Sequence, residues 1–203
     1  MKKNGGVRIG FSEPYVAIYS HNGNDISYAN GQKMARGVSV NMASGSNNSS
    51  KFFADNVEAE SAAGKFTGGT LALGVDGLTL EADKLMRGLP AATSLTVGTE
   101  TVQVYVDNDE AETPYVGVGY IEKWQFEGVQ SYRPVVIYKC KLATPDEGAQ
   151  TETETENWQT QNLTFDVVRS DKAKRDWRLR GEHQETEAAA LAVIKQVLNI
   201  TGD

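Results

Sequence analysis

The stretch VGVGYIEKWQF, residues 116–126, decides the fold class. Apolar and aromatic residues stand at alternate positions, so a β-strand would place Val116, Val118, Tyr120, Trp124 and Phe126 on one face. Glu122 interrupts this face. A strand of this length can bulge or extend beyond the core at Glu122, and part of its edge would then be free to pair with a neighbouring molecule.

Similar alternation on both sides of this stretch predicts more strands. Asn22-Gly23 suits a tight turn that needs positive φ, so we expect a hairpin around it. Pro14 interrupts the extended pattern between residues 7–11 and residues 15–19. The predicted strands cover residues 7–11, 15–19, 26–28, 66–73, 102–106, 134–142, 163–167 and 177–179.

Two segments have helical rather than strand periodicity. Residues 79–87 follow a possible N-cap, Thr79, and end before Gly88, a typical C-terminal stop. Residues 185–199 carry a broad apolar stripe that should dock on the sheet, with acidic residues near the positive end of the helix dipole. The prediction is therefore a mainly β fold, a β-sandwich or barrel-like domain with a short helix near 79–87 and a C-terminal helix near 185–199.

The length of 203 residues fits one all-β domain, residues 1–203, and 20 glycines indicate frequent turns. Residues 41–50 contain almost no apolar surface that could offset their ordering entropy, so we predict a mobile loop. Residues 143–157 include an alternating Thr-Glu run and predict a second long, solvated loop.

The charge balance disfavours nucleic-acid binding. The chain has 20 Lys and Arg against 27 Asp and Glu, a net charge of −7, so repulsion of DNA is expected. Basic residues gather in 169–180 but are mixed with acids, which indicates an exposed strand face or an interface that matches acids on a neighbour. The start lacks an apolar signal segment and no stretch approaches a membrane span, so we expect a protein made in the cytoplasm.

The sequence offers no pattern for catalysis. Its two histidines, His21 and His183, fit no metal-binding motif; we expect His21 in a turn and His183 in solvent near the last helix. The acidic residues 107–110 lack the glycine and distal glutamate of a calcium loop and predict a turn between strands. Cys140, the single cysteine, is interpreted as a core residue. We therefore predict no catalytic, cofactor-binding or metal-binding residues, and no enzyme.

Two blocks of sequence go beyond composition. The first is Phe52-Phe53-Ala54-Asp55-Asn56, followed by Gly69-Thr70-Leu71-Ala72-Leu73 and the helix beginning Leu80-Glu81-Ala82. The second is Val116-Gly117-Val118-Gly119-Tyr120, followed by Tyr138-Lys139-Cys140-Lys141-Leu142, the acidic Thr-Glu run and Gln161-Asn162-Leu163-Thr164. In order and spacing they resemble the major tail proteins, or tail tube proteins, of long-tailed phages that infect Gram-positive bacteria.

The resemblance implies a structural virion protein that forms stacked hexameric rings, the tail tube through which DNA is ejected. Its implied partners are copies of itself, the tape-measure protein, the tail terminator and the baseplate, with DNA passing through the lumen without specific binding and no membrane. We expect the two long loops to fold onto neighbouring copies. We also expect residues 101–106 and 116–126 to pair between copies as an inner barrel.

A β-sandwich module that binds carbohydrate or a receptor is the alternative. It would present aromatic side chains on one exposed sheet face, and Tyr115, Trp124, Trp158 and Trp177 are candidates. Aromatic residues at strand positions are more often part of the core, so we favour the structural subunit.

Overall fold

A computed structural model describes residues 6–46, 50–54, 57–62, 65–109, 111–143, 148, 151 and 159–201. These residues form twelve strands and two helices. In chain order the elements are β1 Val7–Asn22, β2 Asp25–Lys33, β3 Gly37–Ser46, β4 Ser50–Ala54, β5 Val57–Ala62, β6 Phe66–Val75, α1 Leu80–Arg87, β7 Thr93–Val97, β8 Glu100–Val104, β9 Tyr115–Phe126, β10 Val129–Leu142, β11 Gln161–Val167, β12 Arg178–Arg180 and α2 Glu187–Val197. The predicted mainly β class is confirmed.

One large antiparallel sheet organises the molecule. Its strands follow the order β2-β1-β9-β10-β11-β6-β3, and β12 pairs with β10 beside β11. The predicted hairpin is confirmed, since β1 and β2 are joined at Asn22↔Asp25 and Gly23 has φ +59°. Two hairpins, β4-β5 and β7-β8, stand outside this sheet.

Strand β9 lies inside the sheet, and this corrects one expectation. It pairs with β1 from Val7↔Gln125 to Ile18↔Val116, and with β10 from Val129↔Phe126 to Lys141↔Tyr115. Both of its edges are therefore occupied within the chain, and residues 116–126 have no free edge for a strand of another copy. Backbone amides and carbonyls that are already paired cannot serve a second ladder.

Residues on the two faces of β9 belong to two different hydrophobic cores. Val116, Val118 and Tyr120 belong to the larger core, which also includes residues of β6, β10, β11 and α1, whereas Ile121 belongs to a smaller core under α2. Gly119 lies between these residues and faces α2, where a Cβ would be 2.4 Å from Ile194. The glycine therefore lets the helix approach the sheet closely.

A bulge in β1 keeps its apolar residues on the correct faces. Phe11 and Val16 both contact the larger core although they are five positions apart. The register shifts between Ser12 and Tyr15, where Glu13 has φ 53° and Pro14 follows. The extra residue changes which side chains face the core, so Pro14 marks a bulge within one strand.

The sheet curls so that strand β3, at one end of the sheet, contacts strand β1 near the other end. A Cβ at Gly37, the first residue of β3, would lie 2.2 Å from the ring of Phe11 in β1. The larger core fills the inside of this curl, and α1 contributes Ala82 and Met86 to it. The arrangement agrees with the sandwich-like or barrel-like body expected from the sequence.

Both predicted helices are present. The Thr79 hydroxyl accepts a hydrogen bond from the Ala82 amide at the start of α1, and Gly88 ends the helix in the left-handed conformation. Helix α2 begins after its cap Thr186 and packs Ala190 and Ile194 on the sheet. Its observed length is shorter than the predicted 185–199.

The prediction of a loop at 41–50 is wrong for Asn41–Ser46. These residues belong to strand β3 and pair with β6, for example Met42 with Leu71. Hydrogen bonds to a neighbouring strand hold this polar segment, so it needs little apolar surface of its own. Residues 47–49 lie outside the described part of the chain, as does most of the predicted loop at 143–157.

Candidate interaction surfaces

A hairpin projects from the sheet between α1 and β9. We call Thr93–Val104, which comprises β7 and β8, the arm. Its register pairs Leu95 with Val102 and Val97 with Glu100. Directly opposed residues of an antiparallel pair lie on the same face, so the apolar side chains of the arm share one face with Glu100.

The apolar face of the arm is open to solvent. Leu95 is 52% exposed, Val97 59% and Val102 46%. The opposite face is polar, with Gln103 donating to the Ser94 hydroxyl at 2.9 Å. A two-stranded hairpin is only marginally stable in water by itself, and contiguous exposed apolar surface is typical of contacts with another molecule.

The strands at the two ends of the large sheet each have an open edge in the described part of the chain. Strand β2 pairs only with β1, and β3 pairs only with β6. Unpaired backbone groups at such edges can form hydrogen bonds to a strand of another chain. In the outer edge strand β3, Val38 is 54% exposed.

A groove of about 560 Å³ lies beside α1, where the chain enters and leaves the arm. Its lining includes Ile18 and Gly31 of the large sheet, together with Leu85, Leu89 and Pro114. The charged residues on its described lining are Glu81, Lys84 and Glu112.

Glu122 is a buried carboxylate in the second half of β9. It is 6% exposed, accepts a hydrogen bond from Trp124 Nε1 at 3.2 Å and forms an ion pair with Arg8 at 3.0 Å. Burial, followed by the charge of Glu122, raises the pKa of Tyr120 to about 12. The interruption seen in the sequence is therefore a charge paired inside the fold.

The expectation of a solvated His183 is wrong. Its side chain is buried, its Nδ1 lies 2.9 Å from the Ser131 hydroxyl, and its ring meets Trp124 edge to face. Burial, with the positive charge of Arg133, lowers the pKa of His183 and favours the neutral ring. The neighbours that bury it come from β9 and β10, which the local sequence does not reveal.

His21 lies in strand β1 just before the turn, and not in the turn itself. Its Nε2 is 4.0 Å from the Asp171 carboxylate. Asp171 also accepts hydrogen bonds from Lys139 Nζ at 2.6 Å and from the Tyr19 hydroxyl at 2.8 Å. The Lys139 bond comes first among the causes that lower the pKa of Asp171. This surface cluster joins β1, β10 and the basic segment 169–180.

The other sequence candidates have structural positions. Cys140 is buried and its thiol lies 3.4 Å from the Val116 carbonyl, which confirms a core residue. The Ala111 amide donates to the Asn108 carbonyl between β8 and β9, a bond typical of a turn, and Glu110 lies outside the described residues. No cluster of three potential metal ligands occurs in the part of the chain that the structure describes.

The candidate aromatic residues do not form a common exposed face. Trp177 stacks on Phe66 with ring centroids 4.2 Å apart, and Trp124 is half-buried. Tyr115 is 43% exposed, while Trp158 lies outside the described residues. Among the helices described, none combines the length and hydrophobicity needed to cross a membrane.

No protein-family model matches this chain, and a search of curated proteins finds no match.

Proposed function

We propose that this chain is a structural subunit that polymerises with copies of itself, the major tail protein of a long-tailed phage. Stacked hexameric rings would form the tail tube. The order of sequence blocks described above supports the family assignment, and the curled, mainly β body is compatible with it.

One observation carries the proposal: the arm presents an apolar face that its own chain leaves exposed. A ring is built from heterologous contacts, in which one surface meets a different surface on the next copy. The arm supplies a projecting surface of that kind. The open edges of β2 and β3 offer further contacts for stacking between rings.

Charge supports the role of a DNA conduit. Each copy carries a net charge of −7, so a tube of many copies has an acidic character that disfavours DNA adhering to it. The tape-measure protein, the tail terminator and the baseplate are proposed partners on the basis of the family resemblance alone.

Electron microscopy of the purified full chain tests the proposal. Negatively stained samples over a wide concentration range should contain rings at intermediate concentration and filaments at high concentration. Analytical ultracentrifugation should show the same transition as an increase in mass with concentration. A compact monomer at every concentration would contradict the proposal.

The alternative, a module that binds carbohydrate or a receptor, rests on Tyr115, which is exposed beside Lys139 and Lys141. A sugar ring could stack on such a side chain. A glycan array separates the two functions, because a binding module would retain specific glycans and lose them on Tyr115→Ala.

A further inference from the structure

The sheet register places four arginines around the buried carboxylate of Glu122. Arg133 lies directly opposite Glu122, and the two arginines of β12 lie opposite Val135 and Ile137, which belong to the larger core. All of these side chains therefore start from one face of the sheet. We call the following set the arginine cluster: Arg8, Arg133, Arg178 and Arg180.

The described residues around the cluster supply less negative charge than the four arginines carry positive charge. Arg8 pairs with Glu122, but the described residues place no carboxylate within ion-pair distance of the other three guanidinium groups. Arg133 Nε is buried without a hydrogen-bond partner. Burial and the nearby charge of Arg180 both lower the pKa of Arg178. Partly buried guanidinium groups without acceptors are costly, so the cluster is suited to receive an anion.

The arm carries a matching group. Glu100 lies on the same face as Leu95 and Val102. If a neighbour covers that face, the Glu100 carboxylate is removed from water with it, and a buried carboxylate needs a cationic partner. Glu100 is the one charged residue in the arm, and Asp107 and Asp109 follow it with no lysine or arginine between them, so the charge of the arm and of the segment after it is complementary to the arginine cluster.

We propose that the arginine cluster of one copy binds the arm of the next copy, with Glu100 as its anion. The inference rests on the proposed self-association and identifies the two surfaces that meet. An arginine presents its N–H groups in a planar fork that can hold both oxygens of a carboxylate. Such a contact would supply the cluster with an acceptor and would cover the exposed apolar face of the arm.

Apolar surface beside the cluster favours a protein arm over nucleic acid as the occupant. Arg178 lies over the ring of Trp177 at 4.4 Å, and that ring stacks on Phe66. These two half-buried rings make the surface beside Arg178 partly apolar. A phosphate backbone would bring charge and no apolar surface, and it would meet the repulsion of an acidic protein.

Charge reversal tests the contact in the full chain. Arg180→Glu changes an exposed arginine of the cluster, and Glu100→Arg changes the arm. Each alone should raise the critical concentration for assembly about tenfold or more, and the double variant should restore assembly. Lys174→Glu, an exposed reversal outside the cluster, is the control for net charge and should have a much smaller effect. Wild-type assembly by Arg180→Glu, or no rescue by the double variant, would overturn the inference.

Disulfide crosslinking tests the same contact without requiring a polymer. Copies carrying Glu100→Cys are mixed with copies carrying Arg180→Cys, and the mixture is oxidised with copper phenanthroline. The mixed dimer should exceed both symmetric dimers because residues 100 and 180 meet in the proposed contact. Native Cys140 is buried and should not add crosslinks of its own. If the mixed dimer forms although the wild type makes no rings, the contact stands and the tail-tube function fails. If rings form and no mixed dimer is found, the function stands and the contact is wrong.

Monomer stability provides a readout that a purely structural cluster would not produce. Arg133→Met removes a buried donor without a partner and reduces repulsion among the arginines. We expect an unchanged or higher free energy of unfolding together with weaker assembly. A clear loss of monomer stability would show that the cluster serves the fold, and would overturn the proposed docking role.

Discussion

The exposed apolar face of the arm allows a quantitative prediction about assembly. Burying a fully exposed leucine or valine side chain contributes about 1.5–3 kcal/mol. Leu95 and Val102 are 52% and 46% exposed, so each retains roughly 1 kcal/mol of that contribution for a contact with another copy. The double variant Leu95→Ser, Val102→Ser should therefore weaken each contact by about 2 kcal/mol, or about 30-fold in affinity.

Pelleting assays over a concentration series measure this effect as a rise in the critical concentration for polymer formation. The same variant should unfold in urea at nearly the wild-type midpoint, since exposed substitutions usually change stability by less than about 0.5 kcal/mol. Thr96→Ser with Thr101→Ser alters a directly opposed pair on the polar face of the arm and serves as the matched control. An unchanged critical concentration in the apolar variant, or an equal rise in the control, would refute the assignment of this face to assembly.

Three further predictions concern the fold itself. Phe165→Ala should lower the free energy of unfolding by about 3–5 kcal/mol because its ring is completely buried; a loss below about 1 kcal/mol in urea titrations would contradict the described core. Burial raises the pKa of the Cys140 thiol, so a thiol reagent should modify it only as fast as the protein opens. Modification of the native protein at the rate of a free thiol would place Cys140 on the surface. Asp171 has a lowered pKa, so its ionised form stabilises the fold above its ordinary pKa and that stabilisation is lost as the pH falls through the folded value. Urea titrations should therefore show Asp171→Asn less stable than wild type near neutral pH, with the difference shrinking below about pH 4, and a difference that does not depend on pH would exclude this ion pair as its source.

Local chemistry explains which elements could be predicted from the sequence. Alternation identified β9 because its two faces contact two different cores, and the cap at Thr79 with the stop at Gly88 identified α1. Each of these signals lies within about a dozen residues of chain. The type of element follows from such signals because propensity and burial agree there.

The errors have a common cause in contacts between distant parts of the chain. Asn41–Ser46 contain few apolar residues, yet backbone hydrogen bonds to β6 hold them in a strand. His183 has polar neighbours in sequence, yet Trp124 and Ser131 bury it. The position of β9 in the sheet depends on which strands pair with it, and alternation does not contain that information.

The arginine cluster could not be predicted from spacing for the same reason. The sequence predicts that the basic residues of segment 169–180 lie on a strand face or at an interface that matches acids on a neighbour. Arg133 and Arg8 lie far from that segment in sequence and reach the cluster through the pairing of β9 with β10 and β1. An excess of charge becomes visible only when the register places these side chains together on one face.

Salt dependence separates the two electrostatic effects that act on assembly. A net charge of −7 makes copies repel one another, and salt screens that repulsion because the Debye length falls to about 10 Å at 0.1 M. Contacts between Glu100 and partly buried arginines are screened less than exposed charges are. Moderate salt should therefore promote wild-type assembly. It should also rescue Lys174→Glu, whose defect is repulsion alone, but not Arg180→Glu, which lacks part of the contact. Equal rescue of both variants would mean that net charge governs assembly and that the cluster has no specific partner.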